Sequence, residues 1–312
     1  MVLSLATILI LGSKGFIGSH LVDFFSGQGH LVTGCDLTEY AHTNYTYHKL
    51  SIHSTDFDSI FTGQPFDICI NASGSGNVGY SMEHPCTDFE SNTYSVAKVL
   101  DTIRKFQPGC RYIQLSSAAI YGNPQQLPVV EEASLAPLSA YGWHKYMSEL
   151  LCKEYYQLYE VKNVILRPFS VYGRGLRKQL LWDLCVKLSG QSRVELFGTG
   201  DESRDFIHID DLMQAVDRII VNGLFEGEIY NVASGIETPI RDIAKIFEKK
   251  FVKGANIFFS GESRAGDPNN WCADISKLKA TGFKPVIGLE EGIISYIDWY
   301  FSLGGHKQPE NN

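Results

Sequence analysis

The sequence predicts an α/β protein, a doubly wound parallel sheet followed by a smaller mixed α/β unit. Three observations point there. Short continuous apolar runs alternate with amphipathic helical segments over the first half of the chain, as in a parallel sheet covered on both faces. Spaced glycines directly follow the first of those runs, and the regular alternation stops after Gly173. A length of 312 residues suits two domains of ordinary size, so the expected division is 1–170, 171–305 and a short polar tail over 306–312.

Taken in order, Thr7–Leu11 is a strand apolar enough to be buried on both faces, and Phe16–Phe25 is the helix after it. His30–Cys35 and Phe66–Ile70 are the next strands. Asn92–Phe106 is a helix because Val96, Val99, Leu100 and Ile103 fall at i, i+3, i+4 and i+7 and form one stripe. Arg111–Leu115 is a strand, Ala140–Tyr159 a long helix with Ser139 placed to cap it, and Val164–Arg167 a further strand. Past Gly173, Leu180–Leu188 and Asp210–Val221 read as helices. Thr238-Pro239 opens another, with Ile240, Ile243, Ala244 and Phe247 on one face; Lys249, Lys250 and Lys253 near its end and Gly254 after it suit a helix C-terminus.

Composition narrows the function. A hydrophobic content of 44% is ample for a folded core. Lys and Arg total 27 against 35 Asp and Glu, a balance of 27 − 35 = −8 that argues against a nucleic-acid coat or an anionic membrane surface as partner. A few local arginines can still hold a small phosphate. The apolar run Val2–Leu11 has no basic residue before it and ends in glycines rather than a cleavage-type sequence, and it is too short to span a bilayer. Seven scattered cysteines without a CxxC pair, and nine histidines without ligand spacing, read as reduced thiols in a cytoplasmic protein with no metal site.

The glycines carry the first chemical signal. Gly12-Ser-Lys-Gly15-Phe16-Ile17-Gly18 lets a strand turn tightly into a helix and brings backbone N–H groups up to a pyrophosphate at the helix N-terminus. Asp36, at the end of the second strand, is placed to accept hydrogen bonds from an adenosine ribose. Strand, glycine turn, helix and acid together define a Rossmann dinucleotide site. A 2′-phosphate would meet like charge at Asp36, and no Lys or Arg lies between there and Lys49, so NAD is favoured over NADP.

The second signal is Tyr141-Gly-Trp-His-Lys145 at the start of a helix. Spacing of i, i+4 stacks the two side chains, and an ammonium beside a phenol is expected to lower its pKa from about 10 toward neutrality. A tyrosine so tuned can exchange a proton with a hydroxyl. Ser117, ending the strand with Leu115 and Ser116, is placed to bond the same oxygen.

With these residues the chain resembles the extended short-chain dehydrogenase/reductases, and within them the NAD-dependent sugar-nucleotide epimerases and dehydratases. The likeness runs to about Tyr300. It rests on the glycine turn, Ser116-Ser-Ala-Ala-Ile-Tyr-Gly122, Tyr141-Gly-Trp-His-Lys145 and Leu166-Arg-Pro-Phe-Ser-Val-Tyr-Gly173, then Gly200 to Asp211, Tyr230 to Gly235 and Arg264-Ala-Gly-Asp267. The resemblance implies Tyr141 as acid/base, Lys145 as its electrostatic partner and a ribose ligand, and Ser117 as third member. It implies Ala72 beside the cofactor, Asn92 and Ser170 near the substrate, Arg204 and Arg264 on the nucleotide diphosphate, and Asp267 next to them. It also implies a homodimer through the Ala140–Tyr159 helix, whose apolar residues lie on more than one face.

Departures from the family pattern refine this. Dehydratases carry Asp-Glu after the catalytic hydroxyl residue and decarboxylases a carboxylate at the second position, where this chain has Ala118 and Ala119. Ser51 replaces an acid that usually contacts adenine, Ser170 an Asn, His144 a small hydroxyl residue, and Ala72-Ser-Gly-Ser-Gly76 an Ala-Ala run. The chemistry left to Ser117, Tyr141 and Lys145 is reversible oxidation of a hydroxyl. The resemblance therefore implies epimerisation at C4 of a nucleotide-activated hexose, UDP-linked by preference, through a transient 4-keto sugar. The alternatives are NAD(P)H-dependent reduction of a nucleotide-linked 4-keto-6-deoxy sugar, and a non-catalytic dinucleotide-binding regulator.

Overall fold

The structure, a computed structural model, describes residues 5–39, 45–50, 57–251, 255–262 and 268–304. Ser51, Lys253, Gly254, Arg264, Asp267 and the 306–312 tail lie outside the described residues.

The chain begins β1 (Thr7–Leu11), α1 (Phe16–Gly27), β2 (Leu31–Asp36), β3 (Thr46–Lys49), α2 (Phe57–Gly63) and β4 (Ile68–Asn71). Two short helices, α3 (Val78–Glu83) and α4 (Pro85–Phe89), run through a π-helical turn at Glu90–Tyr94 into α5 (Ser95–Phe106). β5 (Arg111–Leu115) ends in a 3₁₀ turn, Ala118–Tyr121, and α6 (Ala140–Tyr159) leads to β6 (Asn163–Pro168). Then come β7 (Ser170–Tyr172), α7 (Gln179–Gly190), β8 (Arg193–Leu196), β9 (Ser203–His208), α8 (Ile209–Asn222) and β10 (Glu226–Val232). β11 (Glu237–Pro239), α9 (Ile240–Lys250), β12 (Asn256–Phe259), α10 (Ser276–Ala280) and α11 (Leu289–Ser302) complete the order.

Seven strands form one parallel sheet in the order β10-β6-β5-β4-β1-β2-β3. Alternation along each strand feeds both faces. Ile8, Ile10, Ile68, Ile70, Ile113, Leu115, Val164 and Leu166 pack with α1 and α8. Leu9, Leu11, Cys69, Tyr112 and Ile165 pack on the other side with α2, α5 and Cys152 of α6. This is why the strands read as continuous apolar runs: each side chain has a core to enter whichever way it points. The stripe Val96, Val99, Leu100 and Ile103 is buried as its spacing requires.

The remaining strands are short and mixed. β9 pairs parallel with β7 and antiparallel with β11, and β12 pairs parallel with β8. Here α7, α9 and α11 enclose a second core around Leu184, Val194, Ile243, Phe247 and Ile297. Thr238 and Pro239, read as a helix opening, belong to β11, and α9 starts at Ile240 with Pro239 as its cap.

The chain does not leave the large sheet for good at residue 170. α8 packs on α1, and β10 pairs with β6 to form the outer strand of the sheet. Residues 209–232 therefore lie with the large sheet although they follow residue 170. The periodicity that marks them as a helix and a strand carries no information about which core they join.

Candidate active site

A ligand crevice in an open parallel sheet forms where the strand order reverses, here between the C-terminal ends of β1 and β4. Gly12 and Ala72 meet there. Gly12 has φ +78°, and a Cβ on it would stand 2.7 Å from the Ala72 carbonyl oxygen. Gly18 has still less room, since its Cβ would collide with the Gly12 carbonyl oxygen. Gly15 is the extended cap of α1 and bonds its N–H to the Gly12 carbonyl at 3.0 Å. No side chain caps α1, so the first-turn amides at Phe16 and Ile17 face outward with the positive end of the helix dipole. Ser13 Oγ in this turn, Ser116 Oγ after β5 and Asn92 Oδ1 in the π turn are buried without a protein partner. Buried polar atoms are rarely left so. A glycine cradle, a free helix N-terminus and these unpaired atoms fit a dinucleotide, and Gly12, Gly15, Phe16, Ile17, Gly18 and Ala72 would hold it.

Asp36 closes the far side. Its carboxylate accepts from the Lys14 amide at 2.9 Å and from the Thr38 amide and hydroxyl at 3.1 Å each, which fixes its direction. The Lys14 ammonium, in the glycine turn itself, lies 5.2 Å from the ring centres of both Tyr45 and Tyr47. This cation precedes Asp36 in the chain and so lies outside the stretch between Asp36 and Lys49 that bears on NAD against NADP.

Ser117, Tyr141 and Lys145 come together beside this crevice. Ser139 caps α6 by accepting from the Gly142 amide at 3.2 Å, and Tyr141 follows in the first turn with its amide bonded to Ser81 Oγ at 3.0 Å. Ser117 is the hydrogen-bonding neighbour that favours the ionised form of Tyr141, and its Oγ accepts from the Ala119 amide at 3.1 Å. Lys145 is buried and donates to the Leu115 carbonyl at 3.0 Å, with its nitrogen 6.0 Å from the Tyr141 ring centre.

The electrostatics differ from the sequence expectation. Burial raises the Tyr141 pKa above its ordinary value, Asp88 adds to the rise, and only the Ser117 hydrogen bond opposes them. Burial pulls the Lys145 ammonium down to about 8, against the favourable charges of Asp88 and Glu149. The lowering of the phenol expected from the ammonium is therefore not what sets its state: removal from water raises it, and Ser117 is the group that opposes the rise. Asp88 was not singled out from the sequence. It is 0% exposed, with Oδ2 2.6 Å from His144 Nδ1 and Oδ1 accepting from Asn92 Nδ2 at 3.0 Å.

Behind the site, Arg167 on β6 grips Glu149 of α6 at 3.0 and 2.7 Å, and also donates to Tyr121 at 2.7 Å. Tyr121 in turn donates to Asn231 on β10 at 2.7 Å. This buried chain ties α6 to the outer strand of the sheet.

Of the residues assigned to substrate, Asn92 borders the crevice, donating to the Ser75 carbonyl at 3.1 Å in the loop after β4. Ser170 and Arg204 share the small three-stranded sheet, on β7 and β9. The Arg204 guanidinium donates to the Ser203 and Asn269 carbonyls at 2.9 and 3.3 Å and lies 5.6 Å from the Trp271 ring centre. Arg264 and Asp267, in the stretch just before, are outside the described residues. Among the described residues no group of His, Cys, Asp and Glu is arranged to hold a metal ion.

A seven-stranded parallel sheet, a glycine turn at its switch point and a Ser-Tyr-Lys cluster beside it define a short-chain dehydrogenase/reductase fold. The family described as "NAD dependent epimerase/dehydratase family" matches residues 8–233, and the chain belongs to it. A Methanocaldococcus jannaschii protein with the provisional name UDP-glucose 4-epimerase is 31% identical over 307 residues, covering 94% of this chain and 97% of that protein. The fold is also similar to UDP-glucose 4-epimerase from Thermotoga maritima with UDP-glucose, at TM-score 0.87 and 25% identity over 95% of this chain and 99% of that one. UDP-glucuronic acid 4-epimerase from Bacillus cereus, in complex with UDP-glucuronic acid and NAD, matches at TM-score 0.87 and 25% identity with the same coverage.

Proposed function

We propose that the protein interconverts the C4 epimers of a UDP-hexose through a 4-keto sugar, with NAD bound throughout. The observation that carries this reading is the Ser117–Tyr141 contact beside the Gly12–Ala72 crevice, followed by alanines at 118 and 119 where an eliminating enzyme of the family has acids. In its ionised form Tyr141 takes the proton of the sugar 4-hydroxyl and later returns it. Ser117 bonds the same oxygen, and Lys145 places a positive charge next to the developing phenolate. When bound, NAD supplies the hydride acceptor and donor that this proton transfer accompanies. Asn92, Ser170, Arg204, Arg264 and Asp267 are assigned to the nucleotide sugar, the arginines to its diphosphate because a guanidinium fork suits phosphate oxygens. The names of the similar proteins support UDP as the nucleotide.

The purified protein is expected to carry NAD and to bring UDP-glucose, UDP-N-acetylglucosamine or UDP-glucuronate to equilibrium with its galacto epimer without added reductant, followed by proton NMR of the anomeric signals. Conversion of a 4-keto sugar with stoichiometric use of NAD(P)H, and no epimerisation of any UDP-hexose, would falsify this reading in favour of a reductase.

We further propose a homodimer formed through α6, with the π turn packed beside it. Tyr94, Met147, Leu150, Leu158 and Tyr159 are exposed there, and Tyr94, Met147 and Leu150 line a groove of about 240 Å³ with Phe89. All seven cysteines are free, which supports a reducing, cytoplasmic setting, and no helix among the described residues is long and apolar enough to cross a membrane.

A further inference from the structure

The charge that acts on Tyr141 and Lys145 from outside α6 comes from Asp88 on α4. Its carboxylate is out of water and clamped on both sides, by His144 at 2.6 Å and by Asn92 at 3.0 Å. His144 is the residue before Lys145 and lies one turn from Tyr141, and its carbonyl accepts from Thr93 Oγ1 at 3.0 Å. Asn92 in turn donates to the Ser75 carbonyl at 3.1 Å and fills the space beside Gly74, so the clamp continues into the loop that borders the crevice. A buried anion is costly unless it is paired. A staple between α4 and α6 could be built from neutral hydrogen-bonding residues at lower cost, so the charge itself calls for an explanation.

We propose that Asp88 is a positioning residue for the reaction: held between His144 and Asn92, its carboxylate is the fixed counter-charge that keeps the Lys145 ammonium, and with it the Tyr141 hydroxyl, in the working arrangement. This rests on the reading of Tyr141 and Lys145 as the proton-transfer pair. The titratable groups facing Asp88 from α6 are Tyr141, His144 and Lys145, with Glu149 one turn beyond Lys145. Those of α3, α4 and the π turn, Tyr80, Glu83, His84, Cys86, Glu90 and Tyr94, are all exposed. Asp88 is the buried anion of this group outside α6. It raises the pKa of Lys145 and of Tyr141 alike, so its removal moves both titrations to lower pH.

Asp88→Asn keeps the shape and the bond from Asn92 while deleting the charge, its amide N–H now donating to His144 Nδ1. Two measurements are made on the full chain with its bound NAD. The first is the pH profile of epimerisation. The second is the titration of Tyr141 by ¹³Cζ-tyrosine NMR, its signal identified by its loss in Tyr141→Phe. Both limbs of the profile and the Tyr141 midpoint are expected to move down by about one pH unit, with NAD content unchanged, and Asp88→Glu is expected to restore the original positions. Asp88→Ser removes the same charge if the Asn variant does not fold. A neutral variant whose turnover falls equally at every pH, with the Tyr141 midpoint where it is in the parent, reduces Asp88 to a structural staple and overturns the proposal. If the parent protein epimerises no UDP-hexose, the proposed function fails instead, and the Tyr141 titration still decides the role of Asp88.

Discussion

Tyr141 is held between opposing influences, with burial and Asp88 favouring the neutral phenol and Ser117 favouring the phenolate. Tyr141→Phe removes the proposed proton carrier and keeps the ring. Turnover is expected to fall by roughly 10²- to 10⁴-fold, with bound NAD retained as measured in the denatured supernatant. The signs of the shifts also set a pH dependence. Raised above its usual value, Tyr141 gains phenolate as pH rises, so activity climbs on the acid side. Lys145, pulled down to about 8, loses its charge as pH passes that value, so above it this loss offsets the further gain of phenolate and activity levels off. A profile still rising well above pH 8 would separate Lys145 from the reaction. The Tyr-x-x-x-Lys pair was legible because its spacing is a property of one helix. The direction of the tyrosine shift was not, since burial is set by elements distant in sequence, and Asp88 stayed hidden because 56 residues separate it from His144.

The turn from β1 into α1 shows how an element can be legible down to single atoms. Gly18→Ala would drive a methyl into the Gly12 carbonyl and to 3.0 Å from Ser13 Cα. A cost of about 1–3 kcal/mol in urea unfolding is expected, together with loss of bound NAD. Gly27→Ala, at the end of the same helix with nothing within 4 Å, is expected to leave NAD in place and to stabilise by up to about 1 kcal/mol. Comparable losses of NAD in both variants would refute this account of the turn. β1, β5 and α6 have the bounds their apolar periodicity suggests. The π turn at Glu90–Tyr94 and the 3₁₀ turn at Ala118–Tyr121 do not stand out in the sequence. Both depend on what the backbone packs against, and both place candidate site residues: Asn92 in the first, and Ser117 as the cap of the second.

At the scale of the whole molecule, the net charge of −8 conceals a division of labour, with Asp36 and Asp88 as fixed anions at the site and Arg204 as a partly buried cation on the small sheet. The exposed face of α6 is the other global feature. Leu150→Glu is expected to give a monomer in sedimentation velocity where the parent sediments as a dimer, with NAD still bound; an unchanged sedimentation coefficient would put the partner surface elsewhere. The second unit could be recognised from the sequence by its broken alternation, but not the return of the chain to the first, because β10 is defined by its neighbour β6 rather than by its own residues. That return has a consequence for synthesis. A nascent chain that has emerged only as far as residue 170 holds β6, buried along its whole length in the finished protein, as an unpaired sticky edge, and α1 still lacks the helix that covers it. The sheet is completed only once residue 232 has left the ribosome, so this domain is finished late, and a fragment cut at 170 is a template for aggregation rather than a portable cofactor-binding module.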